Sequence, residues 1–481
     1  MKVLLINPPR ENELTGNNPP LIDEERGYNP PLGLLYVGTY LRDRGGHEVE
    51  VIDAQVEELS YPELGERIRR AGADLAGITA MTFTLLDVVK TAGLIKQIDP
   101  DLPVVIGGGH AYIYPEETAR LDNIDYVLAG EGEPGFAGLV GELSGERRLE
   151  RVPGLTWVDN EGKLHRNELP AMIEDLDDLP FPDRTLTPHQ RYSSVMAKRQ
   201  PITTMFTSRG CPFRCAFCGR PHLGKRFRAR SAGNVVDEME ACLKLGIHEF
   251  LVYDDTFTVD KARVMAVCDE IIRRRLDIGW DIRARVDCVD LEMLKKLKQA
   301  HCERIHYGVE AGTERILKVL NKGITLDQVR RTFAATQKLG IETLGYFMIG
   351  APSETRREIL ETIRFSLEIP ADFVHITILC PFPNTQIYLQ GLKDGFFPED
   401  YWRKFAADPQ PGFNPPYWNE NFTDEELQEL LAYAYKRFYA RPGYLLKKLL
   451  QIRSPGEFAR KARAGLKMLT MKARESKPSQ P

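Results

Sequence analysis

Three of the chain's eight cysteines fall within eight positions of the stretch TSRGCPFRCAFCGR, residues 207–220. They are Cys211, Cys215 and Cys218, a C-x3-C-x2-C spacing. Thiolates so spaced can face one metal centre but leave it a ligand short. Closed zinc sites take four protein ligands, usually from two paired knuckles, and the sequence holds no C-x2-C besides Cys215 and Cys218. An iron–sulfur cubane usually takes four thiolates. Three would leave one iron open, able to bind a small chelating ligand and pass it an electron.

The totals bound what surrounds this loop. A length of 481 residues exceeds one ordinary domain. No run of eighteen apolar residues is present, so no transmembrane helix is expected. The first strand begins at Lys2, leaving no room for a leader, and a cytoplasmic protein is expected. All eight cysteines lie between Cys211 and Cys380, without the pairing of a disulfide framework. The net charge of −5 hides a balance of +11 between Lys436 and Lys477, which leaves −16 elsewhere. That tail reads as a solvated helix or as a surface meeting anionic lipid. The basic stretch GKRFRARS, residues 224–231, carries too few cations for a nucleic-acid interface in an acidic chain. It is expected to meet an anionic group of a cofactor or substrate.

Four regions follow from the periodicity. In residues 1–145, short apolar strands (KVLLINP, HEVEVIDA, DLAGITA, LPVVIGG, IDYVLAGEGE) alternate with helices. That rhythm predicts a doubly wound, Rossmann-like parallel sheet whose ligand lies beyond the strand C-termini. Residues 146–200 read as a β-hairpin and a linker. Residues 201–385 repeat strand and helix six times, which predicts a partial (β/α)6 barrel of the TIM type. Its strand ends carry Cys211, Asp254 and Asp255, Arg283 and Arg285, and Glu310. Residues 386–481 form a small helical C-terminal region, aromatic from Phe396 to Phe422 and then basic. The aromatic part is expected either as a lid over the barrel mouth or as core, and Thr423 with Glu426 spells a helix-capping box.

The cysteine loop resembles the radical S-adenosylmethionine (SAM) superfamily, whose C-x3-C-x2-C motif has an aromatic before the last cysteine, here Phe217. The segments YGVEAGTERILKVLNKG and GYFMIGAPSET resemble later parts of that family's barrel. The resemblance implies a [4Fe-4S] cluster on Cys211, Cys215 and Cys218. It implies SAM chelated to the open iron and cleaved to a 5′-deoxyadenosyl radical. Phe217, Glu310, one of Arg283 and Arg285, and one of Asp254 and Asp255 would then face SAM. The last pair stands where the family commonly has Gly-Gly-Glu.

The N-terminal region resembles the cobalamin-binding domain that precedes the barrel in one large radical SAM class. The Asp-x-His-x-x-Gly motif that supplies a histidine to cobalt is lacking, and Asn7-Pro8-Pro9-Arg10 follows the first strand instead. The resemblance implies cobalamin held without an axial imidazole, against Asn7, Pro8, Thr79, Thr82, Gly108, Gly109, His110 and Glu131. Methylthiotransferases of the superfamily carry three more cysteines before the barrel, whereas residues 1–210 have none. The implied activity is methylation of an unactivated carbon on an apolar substrate (lipid, isoprenoid or tetrapyrrole) or a secondary metabolite. The electrons would come from an external donor such as flavodoxin or ferredoxin. A radical cyclase of the magnesium-protoporphyrin type is the alternative within the class. A non-catalytic cobalamin-binding or electron-transfer module is the alternative outside it. A peripheral membrane contact through the basic tail is a further expectation.

Overall fold

The computed structural model describes residues 1–14, 27–219 and 224–450, with side chains to Leu446. Among the described residues the N-terminal part is one seven-stranded sheet. Its strands are β1 (Lys2–Asn7), β2 (Glu48–Asp53), β3 (Leu75–Thr79), β4 (Val104–Gly107), β5 (Tyr126–Leu128), β6 (Leu155–Val158) and β7 (Leu164–Arg166), in the order β2-β1-β3-β4-β5-β6-β7. The first five are parallel. The continuous apolar runs of β1, β3 and β4 are buried on both faces, as helices on each side require, while edge strand β2 (EVEVID) alternates. The order reverses between β1 and β3, and in such sheets the crevice at the switch point takes the ligand. The hairpin β6-β7, expected in the connecting segment, is instead the antiparallel edge of this sheet. Short β5 has apolar Val127 and Leu128 to cover, and Thr156 and Leu155 pair with them.

Two short strands, β9 (Ser208–Arg209) and β10 (Arg228–Ala229), pair beside the cysteine loop. The barrel proper is a six-stranded, all-parallel sheet of β8 (Ile202–Met205), β11 (Glu249–Val252), β12 (Gly279–Ala284), β13 (Cys302–Glu310), β14 (Glu342–Ile349) and β15 (Phe373–Ile378). The order is β15-β14-β13-β12-β11-β8, an open half-barrel as expected. One edge is sealed chemically. Tyr435 and Tyr439, on the helix Asp424–Tyr439, each exchange hydrogen bonds with backbone groups of β15, at Ile376 and Val374. A bare edge would present those groups to another chain. The Thr423/Glu426 capping box starts this helix as expected.

The aromatic segment takes the core role and not the lid role. Trp402, Phe405, Phe397, Trp418 and Phe422 are buried in the same apolar cluster as the barrel helices, and Phe396 stacks on Trp418 at 4.2 Å. Beyond it, the helix Pro442–Leu450 leaves Leu445 and Leu446 exposed, and the part of the basic tail after Leu450 lies outside the described residues. No described helix is long and apolar enough to cross a membrane.

The two sheets meet at their C-terminal rims through buried charge. Arg209 donates to Glu131 at 2.7 Å and to Glu133 at 2.5 Å, and Arg228 donates to Glu131 at 2.8 Å. The four side chains are all under a tenth exposed. Burial alone would raise the Glu131 carboxyl, but Arg228 and Arg209 outweigh it and hold the pKa below the ordinary value. These contacts correct two expectations. Glu131 accepts from Arg209, Arg228 and the Ile173 amide, and so faces the barrel and not a ligand. The three arginines of the basic stretch likewise meet protein anions: Arg226 pairs with Glu174, Arg228 with Glu131 and Arg230 with Glu238. The segment 167–200 is no loose linker either. Arg184 enters the barrel wall to meet Glu238 at 2.5 Å and the Thr204 carbonyl at 3.0 Å.

The turn after β14 is tied by a carboxylate. Glu354 Oε2 accepts the Gly350 and Ala351 amides at 2.7 and 2.9 Å. Its other oxygen is buried without a partner. Burial pushes this acid up to about 7.

Two outcomes follow. Arg209→Ala leaves Glu131 and Glu133 short of a buried cation and costs about 3–5 kcal/mol in urea denaturation; a loss near zero would mean the junction is wet. For Glu354 the raised folded pKa means its stability is full below the unfolded value and is lost as pH rises through about 7. Glu354→Gln keeps an oxygen for both amides and removes that loss. It should gain on the wild type by on the order of 2 kcal/mol between pH 5 and pH 8, whereas parallel pH curves would refute the assignment.

Candidate functional site

The cysteine loop leaves β9 at Arg209 and is pinned on three sides. Near its start, Cys211 Sγ lies 3.7 Å from the Thr256 hydroxyl, just beyond β11. In its middle, the Ala216 amide donates to the Leu320 carbonyl at 2.9 Å, and Asn321 donates to the Arg214 carbonyl at 2.7 Å. At its end, the Ile387 amide reaches back to the Ala216 carbonyl at 3.0 Å. Cys211 and Cys215 are half-buried and Cys218 is exposed. Phe217 packs against the barrel core, with the Lys322 ammonium 5.9 Å from its ring centroid.

Cations gather at the middle thiol. Arg285 Nη1 donates to Cys215 Sγ at 3.6 Å, and its guanidinium stacks on Phe213 at 3.9 Å. Burial pushes the Cys215 thiol up, and the charges of Lys322 and Arg285 oppose that rise. Nothing in the described residues gathers three His, Cys, Asp or Glu side chains about a single ion. A cubane asks for something else, one thiolate on each of several irons and so sulfurs set apart around the cube. Three thiols on one loop with cationic neighbours fit that demand.

The structure separates the paired candidates. Asp254 is fully buried, and its two oxygens accept the amides and hydroxyls of Thr207 and Ser208 at 2.6–3.1 Å. It clamps the end of β8 with both oxygens engaged, so of the expected pair Asp255, half-buried, is the one left at the rim. Arg285 is occupied by a fork onto Asp287 at 2.9 and 3.0 Å, by the Lys322 carbonyl at 2.7 Å and by the Cys215 sulfur. It supports the thiol loop and has no free fork for a SAM carboxylate. Arg283 sits one layer deeper on β12, half-buried. Glu310 ends β13 in a left-handed conformation, φ 75°, and takes the Lys322 ammonium at 2.7 Å. Gly308 makes room for this pair. A Cβ there would come within 2.4 Å of Glu310 Oε1 and 2.7 Å of Lys322 Nζ.

Opposite lies the rim of the N-terminal sheet at the β1/β3 switch. Asn7 donates to Asp53 at 2.7 Å, and the Pro8 carbonyl accepts from Gln55 at 3.1 Å. Burial raises the Asp53 carboxyl although Asn7 and Tyr192 hydrogen-bond to it. Thr79 ends β3, half-buried, and Gly109 opens the short helix Gly109–Ile113. Gly108 is exposed at φ 98°, and a Cβ there would meet the Ala80 carbonyl at 2.7 Å. His110 is fully buried; its Nδ1 meets the Thr82 hydroxyl at 3.1 Å while Nε2 has no partner. Burial lowers its pKa to about 3, so the ring stays neutral. An exposed glycine hinge beside an unpartnered buried ring nitrogen fits a large polar ligand on this rim. The two rims also touch where Asn29 donates to the Tyr253 hydroxyl at 3.0 Å.

Sequence reasoning missed Lys322, Arg209, Asn29 and Tyr253. Lys322 and Arg209 read as solvated charges in linear sequence; what could have marked Arg209 was its place two residues before Cys211.

The radical SAM superfamily matches residues 205–366, and the B12 binding domain matches residues 20–140. An uncharacterized methyltransferase of Pyrococcus horikoshii is 34% identical over 455 residues, which is 94% of this chain and 95% of that protein. The anaerobic magnesium-protoporphyrin IX monomethyl ester cyclase of Rubrivivax gelatinosus is 28% identical over 459 residues, 92% of this chain and 78% of that one. Among solved structures, the radical S-adenosylmethionine methyltransferase TsrM of Kitasatospora setae, with cobalamin and a [4Fe-4S] cluster bound, superposes with a TM-score of 0.69. It is 22% identical and covers 82% of this chain and 78% of its own. That likeness is one of fold.

A Cβ at Gly308 would meet the far ends of Glu310 and Lys322, which must shift to admit it. Gly308→Ala should displace the pair and lower stability by about 1 kcal/mol, read as a lower urea midpoint at unchanged slope. An unchanged midpoint would show that the pair has room.

Proposed function

Because this chain belongs to the radical SAM superfamily, in the branch that carries a B12 binding domain, we propose that it transfers a methyl group to an unactivated carbon of a small-molecule substrate. It is an enzyme that works with a [4Fe-4S] cluster, SAM and cobalamin. When bound, the cluster supplies the electron that splits SAM to a 5′-deoxyadenosyl radical, and cobalamin carries the methyl group.

The chain's own residues divide the work. Cys211, Cys215 and Cys218 would hold three irons. Arg285, 3.6 Å from the Cys215 sulfur, stabilises thiolate charge there. Glu310 and Asp255 offer rim carboxylates to the amino and hydroxyl groups of SAM, with Lys322 fixing the first of them. Asn7, Pro8, Thr79, Thr82, Gly108, Gly109 and His110 line the opposite rim, where cobalamin would lie. The observation that carries this reading is the meeting of the two rims. Arg209, two residues before Cys211, is held by Glu131 and Glu133 at the end of β5. Both cofactors would therefore border one gap, with the substrate between them. The exposure of Cys218 supports delivery of electrons to the loop by an external donor such as a flavodoxin or ferredoxin.

For the substrate we favour a tetrapyrrole among the apolar classes expected, on the strength of 28% identity over 92% of the chain to a tetrapyrrole ester cyclase. The same likeness supports a second reading, ring formation without methyl transfer.

Anaerobically reconstituted protein should cleave SAM to 5′-deoxyadenosine when given a reductant and bind one cobalamin. Cys211→Ala should abolish cleavage yet keep cobalamin, and Gly108→Val should weaken cobalamin binding yet keep iron. Cleavage by the Cys211 variant would sink the proposal. Methyl-labelled SAM then separates the two readings: label in the extracted product means methylation, and a product without label means ring formation.

A further inference from the structure

The face of the half-barrel turned away from its helices carries a group of polar side chains. The register sets Arg283 level with His306, and Gly308, Tyr346 and His375 level with one another one step nearer the rim. Their neighbours Ile282, Ile305, Tyr307, Phe347 and Ile376 alternate with them into the helix-covered core and are closed to solvent. Arg283, Tyr346 and His375 are half-buried by contrast, so this face opens onto space.

Each of the three is held in place with bonding capacity left over. The Arg283 guanidinium lies flat on the Tyr253 ring at 3.6 Å and donates one Nη1 bond to the Val252 carbonyl at 2.7 Å. A guanidinium has five N–H donors. The nearest carboxylate, Asp281, is 3.9 Å away and a layer deeper, only 6% exposed against 24% for Arg283. Asp281 also stands 3.3 Å from His306 Nε2 and 3.8 Å from Arg304, which pairs with Glu342 at 2.8 Å. His306 Nδ1 meets the Tyr346 hydroxyl at 3.0 Å and so fixes it. His375 meets Tyr346 edge-on at 5.5 Å, and its ring hydrogen-bonds to no described residue. Burial lowers His375 to about 4 and keeps it neutral. Arg283 is then the cation that this opening presents near neutral pH.

We propose that this wall anchors the substrate: Arg283 binds a carboxylate or phosphate that the substrate carries, and Tyr346 and His375 supply neutral hydrogen bonds beside it. The inference rests on the reading that the substrate lies between the thiol loop and the opposite rim. It assigns the two arginines of β12 and its end to different tasks, Arg285 to the thiol loop and Arg283 to the substrate. An anion here would hold one end of the molecule below the thiol loop and leave the other end toward the N-terminal rim.

The test is calorimetric titration of the anaerobic holoenzyme with octanoate, octyl phosphate and octanol, which needs no turnover. The wild type should bind at least one of the two anions about tenfold more tightly than octanol, and the preferred anion identifies the substrate's group. Arg283→Gln should reduce both anions to the affinity of octanol. Equal affinities in the wild type, or a tenfold preference surviving in Arg283→Gln, would overturn the proposal. Should Arg283→Gln fail to load iron, Arg283→Lys decides, because it keeps charge but loses the fork: its preference falls severalfold if the anchor is right and stays at the wild-type level if not. Failure of the functional reading is seen separately, as absence of SAM cleavage in wild-type protein whatever the anions do.

Discussion

Two buried arginines and two buried glutamates hold the molecule to its purpose. A charge taken out of water is costly unless its partner is close and its remaining bonds are met. Glu131 satisfies that demand with Arg209, Arg228 and a backbone amide, and Glu133 with Arg209. Neither half of the chain can keep its charges buried without the other. Because Arg209 is the last residue of β9 and Cys211 follows two positions later, the ion pairs that join the halves also locate the thiol loop. A junction made only of apolar side chains would tolerate sliding. Directional charge-assisted bonds do not.

The rest of the barrel rim is built in the same manner. Asp254 closes the end of β8, Arg285 ties the thiol loop to the segment after β13, and Lys322 neutralises Glu310. Each of these charges is answered by protein atoms. Rigid, internally satisfied surroundings suit chemistry in which water and stray donors must be kept from a reactive intermediate.

Much of this was legible in the sequence. Short apolar runs separated by helical patterns located five strands of the first sheet and all six of the barrel. The C-x3-C-x2-C spacing located the loop, and Thr423 with Glu426 a helix start. What was hidden had a common cause: a linear sequence does not tell which charge a given charge meets. Glu131 sits in a glycine-rich turn and looked like a ligand contact until Arg209, 78 residues away, took its place. The cations of residues 224–231 looked like an anion site until Glu131, Glu174 and Glu238 were found opposite them. Asp254 and Asp255 are adjacent and chemically alike, and only the backbone decides that the first turns inward. The aromatic run from Phe396 to Phe422 has no period that distinguishes core from lid; its burial follows from the need to cover the barrel beside β15.

That last point shapes the gap itself. With the aromatic segment committed to the core, the described C-terminal helices seal the edge of β15 and also brace the mouth: the Ile387 amide holds the thiol loop at Ala216, and Arg403 reaches Glu117 of the N-terminal half at 3.3 Å. The N-terminal rim meets the barrel from the other side, through Asn29 on Tyr253 and the ion pairs behind it. Tyr253 is thus shared: its hydroxyl meets the opposite half while its ring carries the Arg283 guanidinium. One ring therefore carries both a contact between the halves and a guanidinium of the inner wall.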